Sequence, residues 1–528
     1  MKVLITDPLT EAGLRVFDKY KTSVVYLPKA SQEQKNKAAK DVDAWIIRSG
    51  TKISASAIAS AKELRVIGRA GVGIDNIDIL EATRRGVVVL NTPDVNTISA
   101  AEHTLGLILS ISRNIHLGHL SMLNGKWDRH KFVGSELRGK TVGIVGLGRI
   151  GKEVIARCLG FKMKVLGYDP FVNQEMFDSE KTIITDLKTL VQKSDYISIH
   201  IPYNKETKNL FNYELLNLMK TSAFLINVAR GGIINESDLA LILSEEKIAG
   251  AAIDVFKQEP IEKENPLLNI KNILLSPHLG ASTQEAKEGV SVSICEQICD
   301  YLKNDNLVNA VNTPISDLNK LKEMKPFLNL SELIGNLQNQ LVASNPIKKV
   351  DIQCQGEIKD IKPILLSFLK GLLKPYVPDR INYINAEAIA KELGIEIIIN
   401  YSNMDTSYKN LISINTSTNQ KSFRIDGSVF EDLKPRLVNI MDFKTEVHPR
   451  GTMLLIENID VPGVIGNVGM FLAQLKINIG AYLLNRVKNA KNAFSIIRID
   501  NDLNDIELQA LSEIPEIIDI RQVNILGF

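Results

Sequence analysis

The stretch Lys140-Thr-Val-Gly-Ile-Val-Gly146-Leu-Gly148-Arg149-Ile150-Gly151 constrains this chain more than any other. It reads as a buried strand, a glycine-rich turn and a helix over Ile150 to Leu159. A second strand, Met163 to Gly167, follows and ends in Tyr168-Asp169. Gly146 allows the tight turn, Gly148 lets the backbone approach a pyrophosphate, and Gly151 lets helix and strand pack closely. The helix start at Arg149 and Ile150 offers unpaired N–H groups and a partial positive charge to phosphates. Asp169 stands about twenty residues on, where a carboxylate accepts hydrogen bonds from a ribose 2′-OH and repels a 2′-phosphate. The expected cofactor is therefore NAD rather than NADP. A lone glycine motif of this kind also describes a plain turn; the flanking strands, helix and terminal acid separate the two.

A length of 528 residues suggests three or four domains. Acids and bases are interspersed and the net charge is only +2, which argues against a nucleic-acid or membrane-surface role driven by bulk charge. The N-terminal Met-Lys-Val-Leu-Ile-Thr-Asp-Pro reads as a strand and turn and lacks the features of a signal peptide. Apolar runs such as Leu105 to Ile111 and Leu454 to Ile456 are too short to span a bilayer. Cys158, Cys295, Cys299 and Cys354 form no metal-type pair, and Cys295 with Cys299 reads as two packed thiols on one helix face. A soluble cytoplasmic protein is expected.

Residues 1 to 98 alternate short apolar strands with helical stretches, the pattern of a parallel sheet. A long apolar helix, about Ser99 to Ile111, precedes the glycine motif, and strands continue to Ile273-Leu-Leu-Ser. The nucleotide-binding unit thus opens in the middle of the first half. The economical arrangement inserts it into another α/β domain, which the chain re-enters through a helix near Gln284 to Leu302. The cleft between the two is a usual place for a small-molecule site. After Asn312-Thr-Pro, Lys and Asn become frequent. A helix (Leu328 to Val342) leads to strand patterns and a polar segment, Ser402 to Gln420. From Gly451 the order is β-α-β-β-α-β, a ferredoxin-like unit, with one strand expected near Ile479 to Val487.

Working residues of such sheets sit at the carboxyl ends of strands. Arg230, Glu259 and His278 stand at three of them. Arg offers a planar fork for a carboxylate or developing carbonyl. His takes a hydroxyl proton near neutral pH, and a Glu on its other nitrogen fixes the tautomer. Each also has an ordinary reading as a solvated ion pair or packed residue, and spacing alone leaves the two in balance.

Asn227-Val-Ala-Arg230-Gly-Gly, Asp254-Val-Phe-Lys-Gln-Glu259-Pro and Ser276-Pro-His278-Leu-Gly resemble, in this order and with the glycine motif, the D-2-hydroxyacid dehydrogenase family over residues 1 to 312. The resemblance implies His278 as acid/base, Glu259 as its orienter, Arg230 as substrate clamp and Asp254 on the nicotinamide carboxamide side. Ile47-Arg48-Ser-Gly-Thr, Gly68-Arg69-Ala-Gly71-Val72-Gly73-Ile-Asp75-Asn, Asn91-Thr-Pro and Lys126-Trp-Asp-Arg129 are similar to the branch of the family that oxidises 3-phosphoglycerate. For that substrate Arg48 and Arg69 would meet the phosphate, Val72 and Gly73 would offer N–H groups to the carboxylate, and Arg129 or Lys131 would add charge across a subunit contact. Leu365 to Leu373, Ile384-Asn-Ala-Glu-Ala and Pro435-Arg-Leu-Val resemble the intervening domain of that branch's long form. Asn458-Ile-Asp460-Val-Pro-Gly463-Val-Ile-Gly, with Ile477-Asn478-Ile, resembles an amino-acid-binding ACT motif.

The implied architecture is a Rossmann-type NAD domain (99–282) inserted into a flavodoxin-like substrate domain (1–98 plus 283–312). An α+β intervening domain (313–449) and a ferredoxin-like ACT domain (450–528) follow. The resemblance further implies a homo-oligomer, dimer or tetramer, with L-serine as effector at Asn458, Asp460 and Asn478. It implies no metal, nucleic acid or membrane. Two other readings stand beside it: a glyoxylate or hydroxypyruvate reductase of the same family, and a non-catalytic NAD(H)-sensing protein.

Overall fold

The computed structural model describes the chain apart from residues 179, 316–319, 343–344, 357, 377–379, 403–407, 442, 487–490 and 526–528. Short apolar runs bounded by turns form β1 (Lys2–Ile5), β2 (Ser23–Tyr26), β3 (Ala44–Ile47), β4 (Val66–Arg69) and β5 (Val88–Leu90). They pair in parallel in the order β2-β1-β3-β4-β5, the flavodoxin-like arrangement. Every residue of β3 is buried because helices cover both faces. The chain leaves after β5 and returns as the helix Gln284–Asn304, whose Ile294, Cys295, Ile298 and Cys299 join Val3, Ile5, Ile46 and Val66 in one core. All four cysteines are buried and free. Burial pushes the Cys299 thiol up to about 11, so it stays a thiol at neutral pH.

The second sheet holds β6 (Thr141–Val145), β7 (Lys164–Tyr168), β8 (Thr182–Ile184), β9 (Tyr196–Ile199), β10 (Phe224–Asn227), β11 (Gly250–Ile253) and β12 (Ile273–Leu275). It too is parallel, in the order β12-β11-β10-β9-β6-β7-β8. The order in which strands are added reverses between β6 and β9, and a crevice opens there at the carboxyl ends of the strands. The helices Thr97–Ser112 and Arg149–Gly160 bury Ala101, Leu105, Ile108, Val154 and Cys158 against Val142 and Ile144.

The third sheet is mixed. It contains β13 (Ile347–Gly356), β14 (Glu396–Ser402), β15 (Asn410–Thr418), β16 (Ser422–Val429), β17 (Pro435–Ile440) and β18 (Phe443–Val447), ordered β14-β13-β15-β16-β17-β18. The polar segment 402–420 is thus largely strand, apart from 403–407, which lie outside the described residues. Ile412 and Ile414 face the core while Ser413 and Asn415 alternate outward, the period of a half-buried strand. The helices Lys325–Val342 and Ile361–Leu373 cover the apolar face and cross where Gly335 and Gly371 meet. A side chain at Gly335 would strike the Phe368 carbonyl oxygen at 2.2 Å.

The last sheet is antiparallel and contains β19 (Gly451–Ile459), β20 (Ile479–Arg486), β21 (Asn492–Ile499) and β22 (Ile517–Ile525), ordered β20-β21-β19-β22. With its two helices on one face this is the ferredoxin-like order. β20 is described as far as Arg486; Val487 lies outside the described residues. Met453, Leu455, Phe494, Ile496 and Val523 on the other face share one core with the third sheet's helices, and Phe443 stacks on Phe494 at 4.5 Å. The third and fourth sheets are therefore one packed body, and the short connection at His448 to Arg450 follows from that. No helix among the described residues is long and apolar enough to cross a membrane.

Candidate active site

The glycine loop lies at the β6–β9 reversal. Gly146 has φ +99°, and a side chain there would strike the His200 carbonyl oxygen at 2.6 Å. One at Gly151 would strike the Gly146 carbonyl oxygen at 2.1 Å. Gly148 faces open space instead and begins a twelve-residue helix, Arg149–Gly160, that carries no side-chain cap. Its first N–H groups are thus available to an anion. Asp169 follows β7 directly and accepts from the Leu147 N–H at 2.9 Å and the Phe171 N–H at 3.0 Å. Its carboxylate is thereby fixed beside the loop. Arg149 pairs with Asp94 at 2.6 Å, an exposed contact that joins this loop to the segment after β5. The residues fit a dinucleotide: an open backbone approach, uncapped amides and an oriented acid.

Arg230, Glu259 and His278 follow β10, β11 and β12, and the three loops pack together. A side chain at Gly231 would overlap the Phe256 carbonyl, and one at Gly280 would meet Val228 at 2.8 Å. His278 Nδ1–H donates to Glu259 Oε2 at 2.6 Å, and Glu259 Oε1 accepts from the Phe256 N–H at 3.0 Å. Burial works to raise the Glu259 carboxyl, but the bonds from His278 and the Phe256 amide outweigh it and hold it below the usual range. His278 Nε2 has no partner among the described residues, so it is the nitrogen left for a substrate proton. Asp254, expected on the nicotinamide carboxamide side, is fully buried. It accepts from Ser276 Oγ at 2.5 Å and from the N–H groups of Leu279 and Gly280 at 2.8 and 2.9 Å. Burial opposes its charge; these donors and His103 outweigh burial and keep it ionised.

Across the cleft, Arg48, Arg69 and Arg230 converge. A side chain at Gly73 would lie 2.3 Å from Arg230 Nη2, so glycine lets the loop after β4 approach that arginine. Burial first, then the charge of Arg230, lowers the Arg69 guanidinium to about 10, with Asp75 opposing and Arg48 adding to the effect. Asn76 braces the patch. Its Oδ1 accepts from Arg69 Nε at 3.1 Å while its Nδ2 donates to the Arg48 and Thr51 carbonyls at 2.6 Å. Asp75 is the nearest countercharge, 3.4 Å from Arg230. A patch in which cations depress one another gains by taking up an anion. The N–H groups of Val72 and Gly73 have no acceptor among the described residues, while Asn91 holds the Val72 carbonyl at 2.7 Å. Arg129 and Lys131 are exposed on a short turn, Lys131 paired with Asp128 at 3.0 Å.

The three residues expected to hold an effector do not meet within one chain. Asp460 pairs with Arg486 at 3.1 Å, and Asn458 lies opposite Ala493. Asn478 donates to Asp500 at 3.1 Å, beyond the other end of β21. Some seven residues of strand separate the two ends, about 23 Å.

Several polar groups at the site escaped the sequence reading. His103 was passed over on an otherwise apolar helix. Thr92, Asn96 and Thr97 carry buried oxygens without a partner among the described residues, in the segment between the two domains. The signal was there: one histidine on an apolar helix, and a polar run beside a strand end.

Residues 105–280 match the NAD-binding domain family of D-isomer specific 2-hydroxyacid dehydrogenases, and residues 323–441 match the D-3-phosphoglycerate dehydrogenase intervening domain. The chain is 37% identical to the D-3-phosphoglycerate dehydrogenase of Methanocaldococcus jannaschii, over 99% of this chain and 100% of that one. It is 34% identical to that of Bacillus subtilis, over 99% of each. Among solved structures, an NAD-dependent formate dehydrogenase from Staphylococcus aureus in complex with NAD aligns at 27% identity and a TM-score of 0.54, covering 58% of this chain and 98% of that one.

Proposed function

The chain belongs to the D-3-phosphoglycerate dehydrogenase family, and on that premise we propose that the strand-end site oxidises 3-phospho-D-glycerate to 3-phosphooxypyruvate, with NAD as cofactor. The observation that carries the reading is the His278–Glu259 pair opposite a half-buried arginine patch short of countercharge. NAD supplies the hydride acceptor. Gly146, Gly148, Arg149, Ile150 and Gly151 hold its pyrophosphate and Asp169 its ribose diol. His278 Nε2 takes the proton from the C2 hydroxyl, and the Glu259 carboxylate stabilises the imidazolium that forms. Arg230 clamps the C2 oxygen and carboxylate, with the Val72 and Gly73 N–H groups beside it. Arg48 and Arg69 hold the phosphate. A glyoxylate or hydroxypyruvate reductase would have no use for that last pair. NADH formation from 3-phospho-D-glycerate and NAD tests the assignment, and no turnover would sink it.

Regulation follows from the last sheet. β20 is an edge strand with Asn478 at its start and the Arg486–Asp460 pair at its end. Two copies pairing antiparallel along β20 would set the Asn478 end of one against the Asp460 and Asn458 end of the other. L-Serine fits between them, its ammonium on the acid and amide oxygens. On this reading the effector site exists only in the homo-oligomer.

A further inference from the structure

We propose that His103, on the helix Thr97–Ser112, is a positioning residue for the acid–base histidine and acts through the buried Asp254. The inference rests on the dehydrogenase reading above. Asp254 accepts from Ser276 Oγ and from the Leu279 and Gly280 N–H groups, and His103 Nε2 approaches it at 3.2 Å while lying 3.4 Å from Ser276 Oγ. Its own carbonyl accepts the N–H of His278 at 2.9 Å. Ser276, Leu279 and Gly280 all belong to the loop that carries His278. His103 is the one donor among the described residues that comes from a different element. The carboxylate is therefore the joint between that loop and the helix, and His103 fixes its orientation from the helix side.

The joint matters because His278 is held in an unusual conformation. Its φ is +55°, in the left-handed region that residues with a side chain adopt only at a cost. The backbone on both sides of it is tied to Asp254, and this turn aims Nδ1 at Glu259. Without the His103 donor, a fully desolvated carboxylate loses one of its partners and is free to turn, carrying the Leu279 and Gly280 amides with it. The His278 ring then loses its alignment with Glu259, while the nucleotide loop and the arginine patch stay as they are. A misplacement of about 1 Å is enough to cost roughly a hundredfold in rate.

The test compares full-length wild type, His103→Leu and His103→Gln. It measures kcat and KM with 3-phosphoglycerate, NAD binding by calorimetry, thermal melting, and the isotope effect of C2-deuterated substrate on kcat. The leucine variant should lose about 10–100-fold in kcat, show a larger isotope effect, and keep its KM, NAD affinity and melting temperature. The glutamine variant, whose amide N–H reaches a similar position, should recover most of the loss. If the leucine variant melts early, His103→Asn, with a donor too short to reach, should show the same kcat loss. Normal kcat in the leucine variant, loss of NAD affinity in step with kcat, or a glutamine variant as impaired as leucine would each overturn the positioning role. A wild type inactive on 3-phosphoglycerate would overturn the functional reading, and this role with it.

Discussion

In residues 1–312 each group assigned to the substrate or the proton lies within six residues of the carboxyl end of a parallel strand. In the last sheet, the residues assigned to the effector lie at opposite ends of one antiparallel strand. The difference follows from topology. Parallel strands with crossover connections all end on the same side, so residues far apart in sequence converge in one cleft. Antiparallel strands end alternately on either side, so short polar side chains at successive turns diverge within a chain and converge only across a symmetry axis. On the proposed reading, catalysis is a property of the single chain and regulation a property of the pair.

Variants that strike one half and spare the other test this contrast. The largest effect expected is at His278. His278→Ala should lower kcat by about 10²–10⁴-fold while NAD still binds, because the nucleotide loop is untouched. Rapid kinetics and NAD titration check both halves of that statement. In the C-terminal body the corresponding loss is one of stability. Phe494 is 2% exposed and stacked on Phe443, so Phe494→Ala should cost about 3–5 kcal/mol of local stability. Calorimetry should show the C-terminal body melting earlier, and kcat at low temperature should be unchanged. A comparable fall in kcat would show that the halves are coupled through more than the effector.

Arg69→Ala should raise KM for the phosphorylated substrate by roughly 10–150-fold, the cost of one charge-assisted contact, with less change in kcat. Asp169→Ala should narrow the preference for NAD over NADP by about tenfold or more. The smallest effect expected is in Asp460→Ala with Asn478→Ala. Serine titrated calorimetrically should bind the wild type and not the double variant, and a mixed oligomer of the two single variants should retain half of its sites. Equal binding in the double variant would remove the proposed site.

The contrast also governs how much the sequence discloses. Gly146, Gly148 and Gly151, with Asp169 after the next strand, are a local pattern with a physical reason at every position, and Arg230, Glu259 and His278 are visible as charges at strand ends. His103 was not visible as a functional residue, because its meaning depends on a carboxylate 151 positions later. The resemblance places Asp254 on the nicotinamide carboxamide side, but its hold on the His278 loop depends on a strand end that the local sequence does not describe. The strand within the polar segment 402–420 is hard to read from the sequence because its inward residues, Ile412 and Ile414, are outnumbered by polar ones. The shared core of the third and fourth sheets was hidden for a similar reason, since alternation along a strand gives one apolar face without naming what covers it.

The most direct test of the account compares kcat/KM for 3-phospho-D-glycerate and for unphosphorylated D-glycerate in the wild type, with NAD saturating. Two arginines, one of them half-buried among other cations and lowered to about 10, should make the phosphorylated substrate preferred by about a hundredfold or more. The same enzyme with Arg48 and Arg69 both replaced by alanine should lose most of that preference. Efficiencies within a few-fold of each other in the wild type would contradict the assignment of the patch to a phosphate, and with it the choice of substrate.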